Sequence, residues 1–325
     1  MKRKLLLILL VVLNFNLVIA QVTDGEKTLR NANTTTDDGW KTGGVLSINL
    51  AQASFVNWAA GGQNSLGING LFSAFATYHK GKSSWDNMLD VGYGILKQGK
   101  NSSFIKTDDK IDFSSKYGRQ ASKSWYYAAI LNFKTQMTNG YNYPNDSVAI
   151  SKLMAPAYLI GAIGMDFKPC ADFTAFIAPF TSKTTFVLDE DFANAGAFGV
   201  TPAIYTDGLL TTPGKKVRSE FGGYIRVVYT HSFFKEKNVT VLSKLDLFSN
   251  YLHNPQNIDV NWENIFSFKV NKFISATITT QLMYDDDIII AVDRNDDGVI
   301  NATDGPGGPR LQFKEILGIG FTYKF

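Results

Sequence analysis

The chain has little of what disulfide-bonded or metal-binding proteins need. Its 325 residues include one cysteine, Cys170, and three histidines. A single thiol cannot form an intramolecular disulfide, and without a second thiol or a histidine cluster it offers no metal site. We therefore interpret Cys170 as a small residue in a tight turn.

Excess charge of one sign is also missing. The chain has 32 Lys and Arg against 29 Asp and Glu, and three of the basic residues, Lys2, Arg3 and Lys4, lie in a segment that we expect to be removed. The remainder is formally neutral. Because it has no basic surplus for phosphates, we exclude nucleic acid as a partner.

The first twenty residues have the pattern of a secretory signal peptide. The basic residues precede an apolar run from Leu5 to Leu13, and Val18 and Ala20 have the spacing of a cleavage site. Such a leader directs export and is then removed. We predict a signal peptide over residues 1–20 and a polar, flexible periplasmic arm over residues 21–39.

Beyond the leader, no apolar run reaches the roughly 18 residues of a membrane helix, although 45% of the residues are hydrophobic. The long segments alternate instead. Between Trp125 and Met137, for example, every second residue is mostly apolar, and the residues between them include Asn132, Lys134 and Gln136. A period of two with one apolar and one polar face is typical of strands that separate lipid from a lumen.

This pattern predicts an all-β fold, a transmembrane antiparallel β-barrel of about 12 strands over residues 40–325. The predicted strands cover residues 44–56, 65–79, 84–97, 107–119, 122–137, 156–168, 171–188, 216–232, 238–251, 258–270, 273–285 and 310–325. Short turns alternate with longer loops along the chain. Sorting of this kind indicates an even-stranded outer-membrane barrel with both termini in the periplasm.

The last strand and the tryptophans agree with this prediction. The chain ends in LQFKEILGIGFTYKF, in which apolar residues step back two at a time from Phe325. This ending resembles the terminal aromatic signal that the barrel-assembly machinery recognises, so we expect that machinery as a partner. An aromatic girdle is expected at the strand ends, from Trp58, Trp85, Trp125 and Trp262.

Several segments carry a resemblance to a known family. They are GWKTGG from Gly39, SFVNWAAGGQNSLGINGL from Ser54, DDKIDFSSKYG from Asp108, YDDDI from Tyr284 and LQFKEILGIGFTYKF from Leu311. With these segments the chain resembles the Bacteroidetes outer-membrane proteins catalogued as a domain of unknown function, DUF3078. The resemblance implies an outer-membrane barrel and supplies no catalytic residues.

One loop has the spacing of a calcium site. In DRNDDGVINATD the ligand positions are taken by Asp293, Asn295, Asp297, Val299 through its carbonyl, and Asp304. Asp304 stands where a longer glutamate is usual, and strands rather than helices are expected on either side. We predict structural Ca²⁺ binding that orders this outer loop and contacts divalent-bridged lipopolysaccharide, with a solvated acidic loop as the alternative. The triplet from Asp285 to Asp287 is expected to share that role or simply to end a strand.

Catalysis is not expected. The histidines are His79, His231 and His253, and the first two fall at predicted periplasmic strand ends. His253 is near Ser249 and Asp246 in sequence, but a nucleophile, a base and an acid must meet in space.

Two classes of function remain: a narrow channel or transport protein for small solutes, which we favour, and a non-conducting barrel that acts through its outer loops. A barrel of 12 strands lies between filled and open barrels. The residues predicted to line the lumen carry both signs of charge: Arg226, Lys134, Lys269, Glu263 and Asp246. This mixture predicts either a charged pore or ion pairs that close the lumen. If the lumen is plugged instead, the loop from Leu188 to Lys215 is the candidate plug, because it is apolar enough to fold inward.

Overall fold

A computed structural model describes residues 38–54, 63–99, 102–234, 238–269, 274–290, 294 and 305–324. Among these residues the strands are β1 (Gly39–Ala53), β2 (Ser65–Lys80), β3 (Ser83–Gln98), β4 (Ile105–Gln120), β5 (Trp125–Thr135), β6 (Gly140–Tyr141), β7 (Ala149–Ser151), β8 (Ala157–Cys170), β9 (Phe173–Phe186), β10 (Ile204–Thr206), β11 (Leu209–Thr212), β12 (Val217–Phe233), β13 (Val239–Asn250), β14 (Ile258–Lys269), β15 (Ser275–Tyr284), β16 (Ile289–Ile290), β17 (Gly308–Pro309) and β18 (Gln312–Lys324).

Twelve of these strands form one closed antiparallel barrel. Their order around the wall is β1-β18-β15-β14-β13-β12-β9-β8-β5-β4-β3-β2. The six short strands form three two-stranded sheets outside the barrel: β6 with β7, β10 with β11, and β16 with β17. The predicted fold class and strand count are confirmed.

Strand bounds agree with the prediction except near some ends. β1 begins at Gly39, five residues before the predicted start at residue 44. β8 continues to Cys170, which pairs with Phe173 after a bulge that begins at Phe167. The predicted turn at Pro169 and Cys170 is therefore wrong, and Cys170 is an exposed residue at a strand end. The bulge accommodates Pro169, which has no N–H for a ladder hydrogen bond.

The strands have the expected two faces. On β1 the side chains of Leu46, Ile48 and Leu50 point outward and are 42–53% exposed, whereas Val45 and Ser47 point into the barrel and are buried. Successive side chains of a strand point to opposite sides, so this alternation places polar residues inside and apolar residues outside.

Connections differ at the two ends of the barrel. At one end, called the turn end, β2 and β3 are joined by Gly81 and Lys82, and β8 and β9 by residues 171–172. At the other end, called the loop end, the connection from β9 to β12 runs over residues 187–216. The predicted sorting of connections by length is present among the described residues.

Helices occur only in this longest connection of the described chain. They are α1 (Glu190–Asn194) and a 3-10 helix (Ala197–Gly199), and the Asp189 carboxylate caps α1 by accepting from the Phe192 N–H at 3.2 Å. In the part of the chain that the structure covers, no helix has the length and hydropathy needed to cross a membrane.

Aromatic side chains cluster on the outer surface near the turn end. The Trp40 ring lies 5.2 Å from the Tyr78 ring and 5.8 Å from the Trp85 ring, and Trp125 packs on Phe167 at 4.7 Å. Trp85 and Trp125 therefore lie where a girdle was predicted, and Trp40 joins them. Trp262 differs from the prediction, because it lies inside β14 rather than at its end. Trp58 lies outside the described residues, so its place in the girdle stays a prediction.

Candidate functional site

The barrel encloses an unusually polar interior. Among the described residues, those with a buried polar or charged side chain include Asn132, Asp166, Lys183, Glu220, Lys244, Asp246 and Glu263. Burying a charge is costly unless it is paired and hydrogen-bonded. We therefore expect each buried charge in the lumen to have a partner of opposite charge or a hydrogen-bond partner.

A central layer of charges crosses the lumen. Lys110 on β4 points its Nζ at Glu263 Oε1 on β14 over 3.2 Å, and Lys244 Nζ approaches Glu263 Oε2 at 2.9 Å. In the closed wall, β4 and β14 are opposite each other, with five strands between them on either side. This ion pair between opposite strands therefore spans the lumen along a diameter.

A second set of contacts completes the central layer. Arg226 on β12 binds both carboxylate oxygens of Asp246 on β13, at 2.5 and 3.2 Å, and the Tyr224 hydroxyl donates to Asp246 at 2.6 Å. Lys134 on β5 lies 3.5 Å from Asp112 and 3.9 Å from Asp246. Lys134 thus connects carboxylates on two sides of the lumen.

The turn end has a smaller charged group centred on Asp166. This carboxylate, 1% exposed, accepts from Lys116 at 2.7 Å and from the Thr174 hydroxyl at 2.6 Å. Lys168 lies 3.4 Å from the same carboxylate.

The loop end is more acidic. Lys183 Nζ lies 2.5 Å from Asp259 and 3.1 Å from Asp285. Beside it, Arg218 pairs with Glu220 at 2.9 Å and also contacts Asp287. Two basic and four acidic side chains in this layer leave a negative surplus at the loop-end entrance.

The connection after β9 packs over this entrance. Ala155, Val187, Ala193 and Val200 form a buried apolar cluster, and the Gly199 carbonyl accepts from Arg218 at 3.5 Å. The segment with α1 and the 3-10 helix therefore packs at the loop-end entrance, the position expected of this loop if the lumen is plugged. The sheet of β10 and β11 is wholly exposed and projects away from this cluster.

One ion pair holds the start of this connection. Lys152 Nζ donates to Asp189 Oδ2 at 2.6 Å. This hydrogen bond lowers the pKa of the Asp189 carboxyl, and the Phe192 N–H that it caps lowers it further. The carboxylate form therefore stabilises the beginning of α1.

Below the central layer, on the side of the turn end, lies a cavity of about 550 Å³. Phe75, Asp86, Lys116, Phe176 and Thr230 are among the residues that line it, so apolar and charged surfaces face the same space. Its volume is within the range of small-molecule sites.

Four of the five predicted lumen residues meet in the central layer: Arg226, Lys134, Glu263 and Asp246. The fifth, Lys269, is exposed at the end of β14. Sequence reasoning missed Lys110, Lys244 and Asp112, although the same alternation on β4 and β13 places them inside.

The predicted calcium ligands Asp293, Asn295, Asp297, Val299 and Asp304 lie outside the described residues, so this site stays a prediction. The acidic triplet before them is described. Its carboxylates have protein partners: Lys183 contacts Asp285, Asn257 donates to Asp286 at 2.5 Å, and Arg218 contacts Asp287.

The histidines have local partners. His231 lies 2.7 Å from Asp172, and His79 lies 3.6 Å from Asp38, both near the turn end. His253 is exposed and contacts the Asn254 amide, whereas Ser249 donates to the Pro255 carbonyl. These contacts do not bring Ser249, His253 and Asp246 together as a triad.

One family model matches part of the chain. Residues 50–141 match the family model described as "Protein of unknown function (DUF3078)". The match confirms the resemblance over a segment that contains two of the motifs quoted for it, those from Ser54 and Asp108. No curated protein matches the chain.

Several solved structures are similar to the chain, among them two at low sequence identity. One is an outer membrane channel from Pseudomonas putida F1, with 8% identity and a TM-score of 0.40 over 90% of this chain and 97% of that one. The other is the translocator domain of the autotransporter NalP from Neisseria meningitidis, with 8% identity and a TM-score of 0.33 over 93% and 99% of the two chains. At these scores the similarity supports no conclusion about function.

Proposed function

We propose that the chain is an outer-membrane β-barrel that transports small solutes and is closed at rest by ion pairs across its lumen. The observation that carries this proposal is the contact between Lys110 and Glu263, which joins opposite walls at 3.2 Å. Apolar side chains packed across a lumen would close it without any charges that could be separated. Ion pairs close it with groups that water, ions or a change in potential can separate.

The outer surface supports the membrane location. Large apolar side chains point outward around the wall, including Leu131, Ile163, Ile225 and Leu317, which are 39–66% exposed. Such a surface is costly in water and favourable in lipid. Closure of the sheet also leaves most backbone groups paired, as the hydrocarbon region requires. Export by the leader and recognition of Phe325 by the assembly machinery belong to this proposal.

The cavity on the turn-end side supports transport. It provides about 550 Å³ directly below the central layer, and both carboxylates and aromatic rings face it. A solute that enters from the periplasm would reach the ion pairs there. We assign no chemical reaction to the site.

Single-channel conductance of the refolded protein in a planar bilayer tests this proposal. We expect the unaltered protein to be closed for most of the time. Glu263→Gln leaves Lys110 and Lys244 facing each other without their shared carboxylate, so we expect frequent conductance steps. Glu315→Gln is the matched control, because Glu315 alternates with inward residues on β18 and lies on the outer wall.

A second candidate is a non-conducting barrel that binds partners through its outer loops. The exposed sheet of β10 and β11 favours it, because all seven of its residues are exposed. Lipopolysaccharide and the predicted calcium loop belong to this candidate. If the folded Glu263→Gln variant shows no more conductance steps than the unaltered protein, the transport proposal is wrong and this second function is favoured.

A further inference from the structure

The shortest ladder of the barrel wall in the described chain lies where its first and last strands meet. β1 and β18 pair over five residue pairs in the described chain, from Val45 with Lys324 to Asn49 with Gly320. Each of the other eleven ladders of the barrel has nine or more pairs, and β1 itself pairs with β2 over 15. The seam is therefore much shorter than any other contact in the wall.

Above Asn49 the ladder between the two strands ends, although the Gly318 backbone still lies close to the Asn49 side chain. Leu50–Ala53 stay paired with β2, and Ile316–Ile319 stay paired with β15. All eight residues are described, and no ladder joins the two segments. The gap is four residues deep, or about 14 Å of strand at about 3.4 Å per residue.

The inward residues along this gap are small. By the alternation of each strand, Ala51 and Ala53 point inward from β1, as does Gly318 from β18. The Asn49 side chain lies against the backbone at the closed apex, with its Cγ 3.0 Å from where a Cβ of Gly318 would be.

A polar row on the outer wall leads to the same gap. Asn264, Thr280 and Glu315 are in register on neighbouring strands, and the Asn264 amide donates to the Thr280 hydroxyl at 3.4 Å. On β18, Glu315 lies between the outward Phe313 and Leu317, each 64% exposed. A carboxylate between lipid-facing apolar side chains needs water nearby.

Unpaired strand edges do not occur in contact with lipid. Backbone at membrane depth that lacks a partner is tolerated only where protein buries it or where it lines a water-filled cavity. The edges of Leu50–Ala53 and Ile316–Ile319 form no ladder with each other, and Glu315 is adjacent to them. Water from the lumen would satisfy both requirements.

We propose that the separation of β1 and β18 is a hydrated lateral opening through which single-chain amphiphiles pass between the lumen and the outer leaflet. The opening presents apolar side chains on its outer side, such as Leu50 and Leu317, and water on its inner side. A molecule with a polar head and one acyl chain matches both. The inference depends on the membrane-spanning barrel proposed above.

Cysteine labelling in proteoliposomes tests the hydration. In a Cys170→Ser background, we expect Leu317→Cys to react quickly with a membrane-impermeant anionic thiosulfonate. Leu131→Cys on the outer face of β5, away from the seam, should react slowly. If neither cysteine reacts, the wall is sealed and the opening is refuted. If both react equally fast, the wall is not in lipid, and the membrane proposal fails together with this inference.

Disulfide formation tests the geometry. In the same background, Ile48→Cys with Phe321→Cys places two thiols in a register pair of the ladder. Leu50→Cys with Ile319→Cys would be the next pair on the same face if the seam continued. Because a disulfide needs Cα atoms about 4.4–6.8 Å apart, we expect oxidation to link only the first pair. Equal linkage of both pairs would refute the opening.

Photolabelling with a diazirine-bearing fatty acid tests the proposed class of molecule. We expect adducts on inward residues behind the opening, such as Ile316 and Asn49, as well as on the outer wall. Ala51→Trp should remove the inward adducts and keep the outer ones, and Ala53→Trp provides a second variant if the first does not fold. Adducts confined to the outer wall of the unaltered protein would refute passage of amphiphiles.

Discussion

Removal of the Glu263 carboxylate should destabilise the folded barrel strongly. Glu263 is 9% exposed and serves two lysines, Lys110 at 3.2 Å and Lys244 at 2.9 Å. At an effective dielectric constant of about 20, each contact is worth about 5 kcal/mol of attraction, most of which offsets the cost of desolvating the charges. Loss of one partner of a buried pair typically costs about 3–5 kcal/mol, because the remaining charge has no counter-charge.

We therefore expect Glu263→Gln to lower the free energy of unfolding by about 3 kcal/mol or more. Guanidinium unfolding in lipid vesicles, followed by tryptophan fluorescence, measures this change, and the mobility of unheated samples on gels verifies that the variant folds. A double-mutant cycle with Lys110→Met should give a coupling energy on the order of 1–3 kcal/mol.

The matched control is Glu315→Gln. This carboxylate lies on the outer wall, so its loss should leave the stability unchanged or raise it. The reasoning is refuted if Glu263→Gln and Glu315→Gln differ by less than about 0.5 kcal/mol, or if the cycle shows no coupling.

Three further predictions concern the wall and the loops. Gly164→Ala should lower the free energy of unfolding by about 1–3 kcal/mol, because the new Cβ would lie 2.0 Å from a backbone carbonyl oxygen of the next strand. Gly161→Ala is the control: a Cβ there would have no atom within 4 Å, so the free energy of unfolding should change by less than about 0.5 kcal/mol. Because the folded pKa of Asp189 is lowered, its carboxylate stabilises α1 above the unfolded value of about 4 and loses that effect as the pH falls below it. The protection of residues 190–200 from hydrogen exchange, relative to the intrinsic rate at each pH, should therefore fall in acid. Asp189→Ala should show the low protection already at neutral pH, and equal protection in the two proteins would contradict this role. Calcium should protect the loop around Asp297 from trypsin at Arg294, and Asp297→Asn should abolish the protection; protection without calcium would contradict the predicted site.

The sequence alone was sufficient for the wall of the barrel. A strand alternates its side chains whatever its neighbours are, so an apolar and a polar face appear directly as a period of two. For this reason all twelve strands were predicted, and strands such as β2 (Ser65–Lys80) and β14 (Ile258–Lys269) were placed within one or two residues of their observed ends. A strand end differs from the prediction where a bulge continues the pairing, as at Cys170 in β8.

Contacts across the lumen required the tertiary structure. Lys110 and Glu263 are 153 positions apart, and their sequence neighbourhoods do not indicate that they meet. Which inward charges face each other depends on the number of strands and on their register around the closed ring. The sequence predicted a lumen of mixed charge, and closure of the ring decided that Arg226, Lys134, Glu263 and Asp246 meet in one layer whereas Lys269 remains outside it.

The seam shows the same division. The sequence determined that β1 and β18 are strands with one apolar face, because that property belongs to each strand separately. It did not determine how many residues of β1 pair with β18. The position of β1 is set by its ladder with β2, and the position of β18 is set by its ladder with β15. Only the three-dimensional course of the wall separates the two strands above Asn49 and Gly320, because that course depends on the twist and stagger of all twelve strands together.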